Sequence, residues 1–131
     1  DSYADIVDVA QGRKTLNEAL VDPGVEGLTL LPGTKRYEDS SELLTEQSML
    51  RVFSVLARIP NSIVVFDTPP ILGCDDVTAI APHVDACLMV VREAITTKKE
   101  LADSLGLVTG LTNVLGVTMN RSSETSDAYY Y

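Results

Sequence analysis

The segment Ile63-Val64-Val65-Phe66-Asp67-Thr68-Pro69-Pro70 constrains this chain more than any other. Four successive large apolar residues suit a strand buried on both faces, as in a parallel sheet covered by helices. Ligands of such sheets gather at the carboxyl ends of the strands, which is where Asp67 and the rigid Pro-Pro turn fall. A carboxylate there has two readings. It serves metal or phosphate chemistry, or it caps the turn or the helix that follows.

The rest of the chain alternates in the same style. Residues 2–10 read as a short helix with apolar Ile6, Val7, Val9 and Ala10, stopped by Gly12. Thr15 and Glu18 have capping-box spacing, in which each side chain satisfies a free backbone amide of the other residue, and open a helix to Val21. Residues 27–31 form an apolar strand closed by Pro32-Gly33. Asp39 and Glu42 open an amphipathic helix to about Arg58, with Leu43, Leu50, Phe53 and Ala57 on one face and Pro60 ending it. After the Asp67 strand come a short helix over 77–81, an apolar strand over 87–91, a helix led by the Thr97/Glu100 box with Leu101, Leu105 and Val108 aligned, and a strand over 114–119 ending on Asn120. Four strands alternating with helices predict an α/β fold with a parallel sheet, helices on both faces and right-handed crossovers. Asp67, Thr97 and Asn120 then share the carboxyl edge of the sheet, and Asp76 reaches the same crevice through the Pro-Pro loop.

Composition narrows the function. At 131 residues and 45% hydrophobic content the chain suits one globular domain. No apolar run approaches the roughly 20 residues needed to cross a bilayer. The start, Asp1-Ser2-Tyr3, has neither a basic region nor an apolar core, so a cytosolic location is expected. A first residue other than methionine suggests a processed product or part of something larger. A net charge of −9 gives no attraction to nucleic acid or an anionic membrane. Cys74 and Cys87 lack metal-ligand spacing and read as buried reduced thiols. His83 has no second titrating group spaced to form a dyad, and Lys98 and Lys99 read as solvated. Residues 122–131, polar and without periodicity up to Tyr129-Tyr130-Tyr131, read as a mobile tail.

Several of these features together resemble one family. They are Asp67-Thr68-Pro69-Pro70-Ile71-Leu72 with Asp76, Val90-Val91-Arg92 followed by Thr96-Thr97, the strand Gly116-Val117-Thr118-Met119-Asn120, and the tyrosine run. Leu30-Leu31-Pro32-Gly33 followed by Ser40-Ser41-Glu42-Leu43-Leu44 adds to them. The chain resembles, over nearly its whole length, the bacterial tyrosine kinases of capsule and exopolysaccharide synthesis. Asp-Thr-Pro-Pro alone is shared with partition and septum-site ATPases, which have no use for a tyrosine run.

The resemblance implies a partial P-loop NTPase (Rossmann-like) fold that uses ATP/ADP and Mg2+. Residues 1–121 would be the C-terminal portion of the kinase domain and 122–131 its tail. Asp67 takes the place of the Walker B aspartate, catalytic and metal-binding, while Asn120 contacts the adenine base and Asp76 lines the nucleotide crevice. Tyr129, Tyr130 and Tyr131 take the place of phosphoacceptors, presented to a neighbouring protomer in a homo-oligomeric ring. The implied partners are those protomers and a membrane activator or polysaccharide co-polymerase, with no nucleic acid. The implied location is cytoplasmic, at the inner face of the cell membrane through a partner or a missing segment.

The chain departs from the family in one important way. It has no Gly-x-x-x-x-Gly-Lys-Ser/Thr loop and no second aspartate-bearing strand before Asp67. Without a phosphate cradle the chain alone is not expected to transfer a phosphoryl group. Lack of the loop's strand would expose sheet edges and apolar faces. A stable form is therefore expected to retain the missing piece, pair with another chain, or rearrange its sheet. A receiver-like signalling domain needs a lysine at the end of the last strand, where this chain has Met119-Asn120. A non-catalytic interaction fragment stays open.

Overall fold

A computed structural model describes residues 4–33 and 46–122. The chain divides into two units, Asp1–Phe66 and Asp67–Tyr131, and each is described by itself.

In the first unit, α1 (Ile6–Ala10) starts from a capping box made of two aspartates. The Asp5 carboxylate accepts from the Asp8 N–H at 2.9 Å, and the Asp8 carboxylate accepts from the Asp5 N–H at 3.3 Å. Gly12 ends the helix at φ +71°, with the Arg51 guanidinium where a side chain on residue 12 would stand. The Thr15/Glu18 box opens α2 (Leu16–Ala19) as the spacing predicts: the Thr15 N–H and hydroxyl each donate to the Glu18 carboxylate at 2.8 Å. This helix stops at Ala19 rather than Val21, because Val21 bridges Leu30 through two antiparallel backbone hydrogen bonds of 2.8 Å.

The expected strand over 27–31 shrinks to that single bridge. Gly24 and Gly27 turn the backbone at φ +78° and +77°, and Pro32 has no N–H to continue a ladder. The helix expected from Asp39 to Arg58 is observed as α3 (Glu46–Leu56); Asp39, Glu42 and Leu43 lie outside the described residues. Its buried face also differs from the one expected. Val52 is 0% exposed and Leu56 is buried, whereas Leu50 and Ala57 are exposed. Met49, Val52, Val55, Leu56 and Ile59 form the stripe that packs with Val9, Ala10 and Ala19, following the helical repeat one face over.

The largest correction concerns residues 63–66. They belong to no strand, and Ile63 and Val65 are 93% and 83% exposed. A strand apolar on both faces needs neighbours for its backbone groups and for both surfaces, and the described residues supply neither. Only Phe66 packs, tilted at 60° against Phe53 with centroids 5.4 Å apart.

The second unit holds α4 (Asp76–Ile80), a 3-10 turn (Ala81–His83), β1 (Ala86–Arg92), α5 (Lys98–Val108) and β2 (Asn113–Asn120). β1 and β2 pair in parallel, from Ala86 opposite Asn113 to Arg92 opposite Asn120, with a register shift at Cys87/Leu88. The Thr112 hydroxyl donates to the Val84 carbonyl at 3.0 Å and ties the starts of the two strands. In α5, Ser104 and Val108 are buried and Leu101 and Leu105 half-buried, so the aligned stripe is present. Among the described residues the sheet has two strands, not the expected four, and Leu88, Val90, Leu115, Val117 and Met119 are exposed. Cys74 and Cys87 are free, as expected, but half-buried rather than buried.

Candidate functional site

The parallel strands β1 and β2 end side by side, and this edge is the best-defined feature of the second unit. Register places Asn120 opposite Arg92. The pairing continues one step beyond β1, where the Glu93 N–H donates to the Asn120 carbonyl at 3.2 Å. The chain then folds back tightly on Arg92. The Arg92 N–H donates to the Thr96 hydroxyl at 3.0 Å, and the Ile95 and Thr96 N–H groups donate to the Arg92 carbonyl at 3.3 and 2.9 Å. Ala94, at φ +59°, makes the reversal.

Thr97 follows as the cap of α5. Its hydroxyl accepts from the Glu100 N–H at 3.2 Å, and its own N–H donates to the Glu100 carboxylate at 2.8 Å. That backbone donation, then the Thr97 hydroxyl, holds the Glu100 carboxyl below the usual carboxylate range. In the same first turn, Lys99 pairs with Asp103 at 2.5 Å, and this contact raises its pKa.

Asn120 closes β2 with its amide already oriented. Its Oδ1 accepts from the Arg121 N–H at 2.8 Å, with Arg121 at φ +55°. An amide has one acceptor oxygen and two N–H donors. Its two N–H donors and the second lone pair of the oxygen are available to a ligand.

The two aspartates singled out from the sequence belong to neither strand. Asp67 is exposed, in an extended run outside any strand. The residue that caps α4 is Asp75, without a side-chain bond. Asp76, also exposed, is the first residue of α4, where a carboxylate suits the helix dipole. Among the described residues no group of three or more His, Cys, Asp or Glu side chains is gathered to hold a metal ion. Mg2+ commonly takes only one or two carboxylates and completes its shell with water and phosphate oxygens, so the exposed carboxylate of Asp67 fits the role of a single ligand. Tyr129, Tyr130 and Tyr131 lie outside the described residues. That Arg92 stands opposite Asn120 is set by strand pairing, which the sequence does not state.

No protein-family model matches the chain. Tyrosine-protein kinase wzc of Salmonella typhi is 30% identical over 98 residues, which is 75% of this chain and 14% of that protein. Tyrosine-protein kinase ptk of Acinetobacter johnsonii is 25% identical over 101 residues, 77% of this chain and 14% of that protein. The chain therefore spans about one seventh of the curated relatives' length. Among solved structures, the kinase domain of the Escherichia coli tyrosine kinase ETK matches with a TM-score of 0.76 and 24% identity, over 100% of this chain and 52% of that one.

The fold is accordingly the P-loop NTPase fold of a kinase domain, present in part. With the relatives named above, the chain belongs to the bacterial tyrosine kinases, as a fragment of their catalytic domain. No helix among the described residues is long and apolar enough to cross a membrane.

Proposed function

We propose that the chain is part of an ATP- and Mg2+-dependent protein tyrosine autokinase that regulates exopolysaccharide or capsule synthesis and export, and that it is inactive as this fragment alone. The observation that carries the reading is the match of three quarters of the chain to a protein named as a tyrosine kinase.

Each residue then has a defined task. Asp67 supplies one carboxylate ligand to Mg2+, whose charge offsets that on the phosphate oxygens. Asn120 directs its amide donors at the adenine edge, and Asp76 lines the same crevice. The hydroxyl oxygen of a tyrosine among Tyr129–Tyr131 of a neighbouring copy attacks the γ-phosphorus. The bond to the β–γ bridging oxygen breaks, ADP leaves with the electron pair, and the phenolic proton passes to a base or to water. The remaining phosphate contacts come from a phosphate-binding loop outside these 131 residues. Neighbouring protomers in a ring and a membrane activator complete the assembly, placing the domain at the cytoplasmic side of the membrane.

Nucleotide titration of this chain beside a version extended at its N-terminus tests the reading. ATP should bind only the extended form, and Asp67→Asn in that form should abolish Mg2+-dependent tyrosine phosphorylation. Equal ATP affinity in both forms, or full activity of the Asp67→Asn variant, would overturn it.

A further inference from the structure

Where α1 ends against α3, the first unit holds a polar cavity of about 310 Å3 lined by Ala10, Gln11, Gln47, Ser48 and Arg51. Ala10 is buried, Gln11 and Ser48 are half-buried, and Gln47 and Arg51 are exposed. Gln47 and Arg51 are four residues apart on α3 and so share a face. The Arg51 guanidinium lies over Gly12, in space that only a residue without a side chain leaves open. It is not needed to close α1, because the Val7, Asp8 and Val9 carbonyls already accept from the backbone N–H groups of residues 11 to 14. Nor does it meet a carboxylate. Arg13 is paired with Asp8 at 2.8 Å and Lys14 with Glu18 at 3.1 Å, whereas Arg51 has no salt bridge among the described residues. The cavity lining therefore carries one full charge, which is positive, and no carboxylate. On the α1 side, the Gln11 amide oxygen accepts from the Arg13 guanidinium, which Asp8 holds in turn. Both N–H donors of Gln11 stay available.

We propose that this cavity binds the phosphate group of a small phosphate monoester. The Arg51 guanidinium supplies two parallel donors to phosphate oxygens, and the amide N–H groups of Gln11 and Gln47 supply donors for the third. A monoester phosphate presents three strongly accepting oxygens and about −1.5 to −2 charges, where a carboxylate presents two oxygens and a single charge. Three donor side chains, drawn from α3 and the end of α1, suit the phosphate. Size narrows the ligand further. A cavity of about 310 Å3 lies at the small end of ligand sites, which fits a phosphorylated metabolite of a few carbons and not a nucleoside triphosphate. In a chain of net charge −9, a lining with a cation and no carboxylate is a place where such an anion meets attraction. Every residue of the site belongs to the first unit, and the proposal does not draw on the kinase reading.

Glycerol phosphate, inorganic phosphate and acetate are titrated separately into the 131-residue chain at neutral pH and constant ionic strength, while backbone amides are followed by NMR. Glycerol phosphate should shift the amides of residues 10–12 and 47–51 and bind at least as tightly as inorganic phosphate. Acetate should bind at least about tenfold more weakly than either. Arg51→Ala should weaken glycerol phosphate binding by about tenfold, Arg51→Lys should restore part of the loss, and Gln47→Ala should weaken it by about threefold. Arg58→Ala removes another exposed arginine without a salt bridge among the described residues and should change nothing. Equal binding of acetate and the phosphates would make this a general anion contact and overturns the proposal. Tighter binding of inorganic phosphate than of its ester would make it a site for the free ion and equally overturns it, as does indifference to Arg51→Ala or the absence of shifts in the two segments. Thermal unfolding of each variant separates lost binding from lost fold; should Arg51→Ala unfold early, Arg51→Lys and Gln47→Ala decide the matter.

Discussion

Glu18 and Glu100 hold the same position in two capping boxes, and each gains a hydrogen bond from a threonine N–H that helix geometry would otherwise leave unmet. For Glu18 the donation from the Thr15 backbone, then the Thr15 hydroxyl and Lys14, lower the pKa from 4.5 to about 2. Because the folded value lies below the unfolded one, the stabilisation is complete above about pH 4.5 and is lost as pH falls toward 2. NMR titration of the Glu18 side chain should give a midpoint near 2, and Glu18→Gln should flatten the acid-side pH dependence in that window. A midpoint near 4.5 would mean that the box does not persist in solution. At the centre of the first unit, Val52 is fully enclosed by Val9, Ala10, Ala19 and Leu56. Val52→Ala should lower the unfolding free energy by about 2 kcal/mol in urea titrations, from lost methyl burial and the cavity left behind.

At the scale of elements, the helices that carry their own start signals were the most legible parts of the sequence. Thr97 announces α5 through Glu100, and Thr97→Ala should cost about 1 kcal/mol and loosen the first turn, visible as faster amide exchange at Lys99 and Glu100. Strands were less legible, because a run of apolar residues states that neighbours are needed but not that the chain provides them. The segment 63–66 has the composition of a central strand, yet Ile63, Val64 and Val65 are exposed. Val65→Lys should therefore change the stability of this chain by less than about 0.5 kcal/mol, whereas the same change in an N-terminally extended kinase domain should be markedly destabilising. A large loss in the short chain would indicate that residue 65 is covered in solution. The face of α3 was misread for a related reason: Leu43, Leu50 and Ala57 fit a helical stripe as well as Met49, Val52 and Leu56 do, and only α1 and α2 decide which is used. At the site, Asn120 was placed correctly at a strand end by the reading of its strand. Its register partner Arg92 required strand pairing that a single sequence does not state.

For the molecule as a whole, two opposing properties set its behaviour in solution. The net charge of −9 keeps copies apart, while among the described residues Leu88, Val90, Leu115, Val117 and Met119 of the second unit lie exposed on a two-stranded sheet with unpaired edges, and Ile63 and Val65 of the first unit are exposed as well. The balance must tip as the charge is removed. Light scattering should show a mass rising above 14.1 kDa as pH is lowered toward the isoelectric value of about 4.4. The Glu18 titration, with its midpoint near 2, lies below this range. Salt at neutral pH should move the mass in the same direction, since about 0.1 M reduces the range of repulsion to about 10 Å. Leu115→Lys, at a residue 68% exposed, should suppress both effects without lowering stability, because it places a charge in the exposed apolar surface while leaving the enclosed residues untouched. A mass that stays at 14.1 kDa through pH 4.4 would mean that this apolar surface is not available to a second copy.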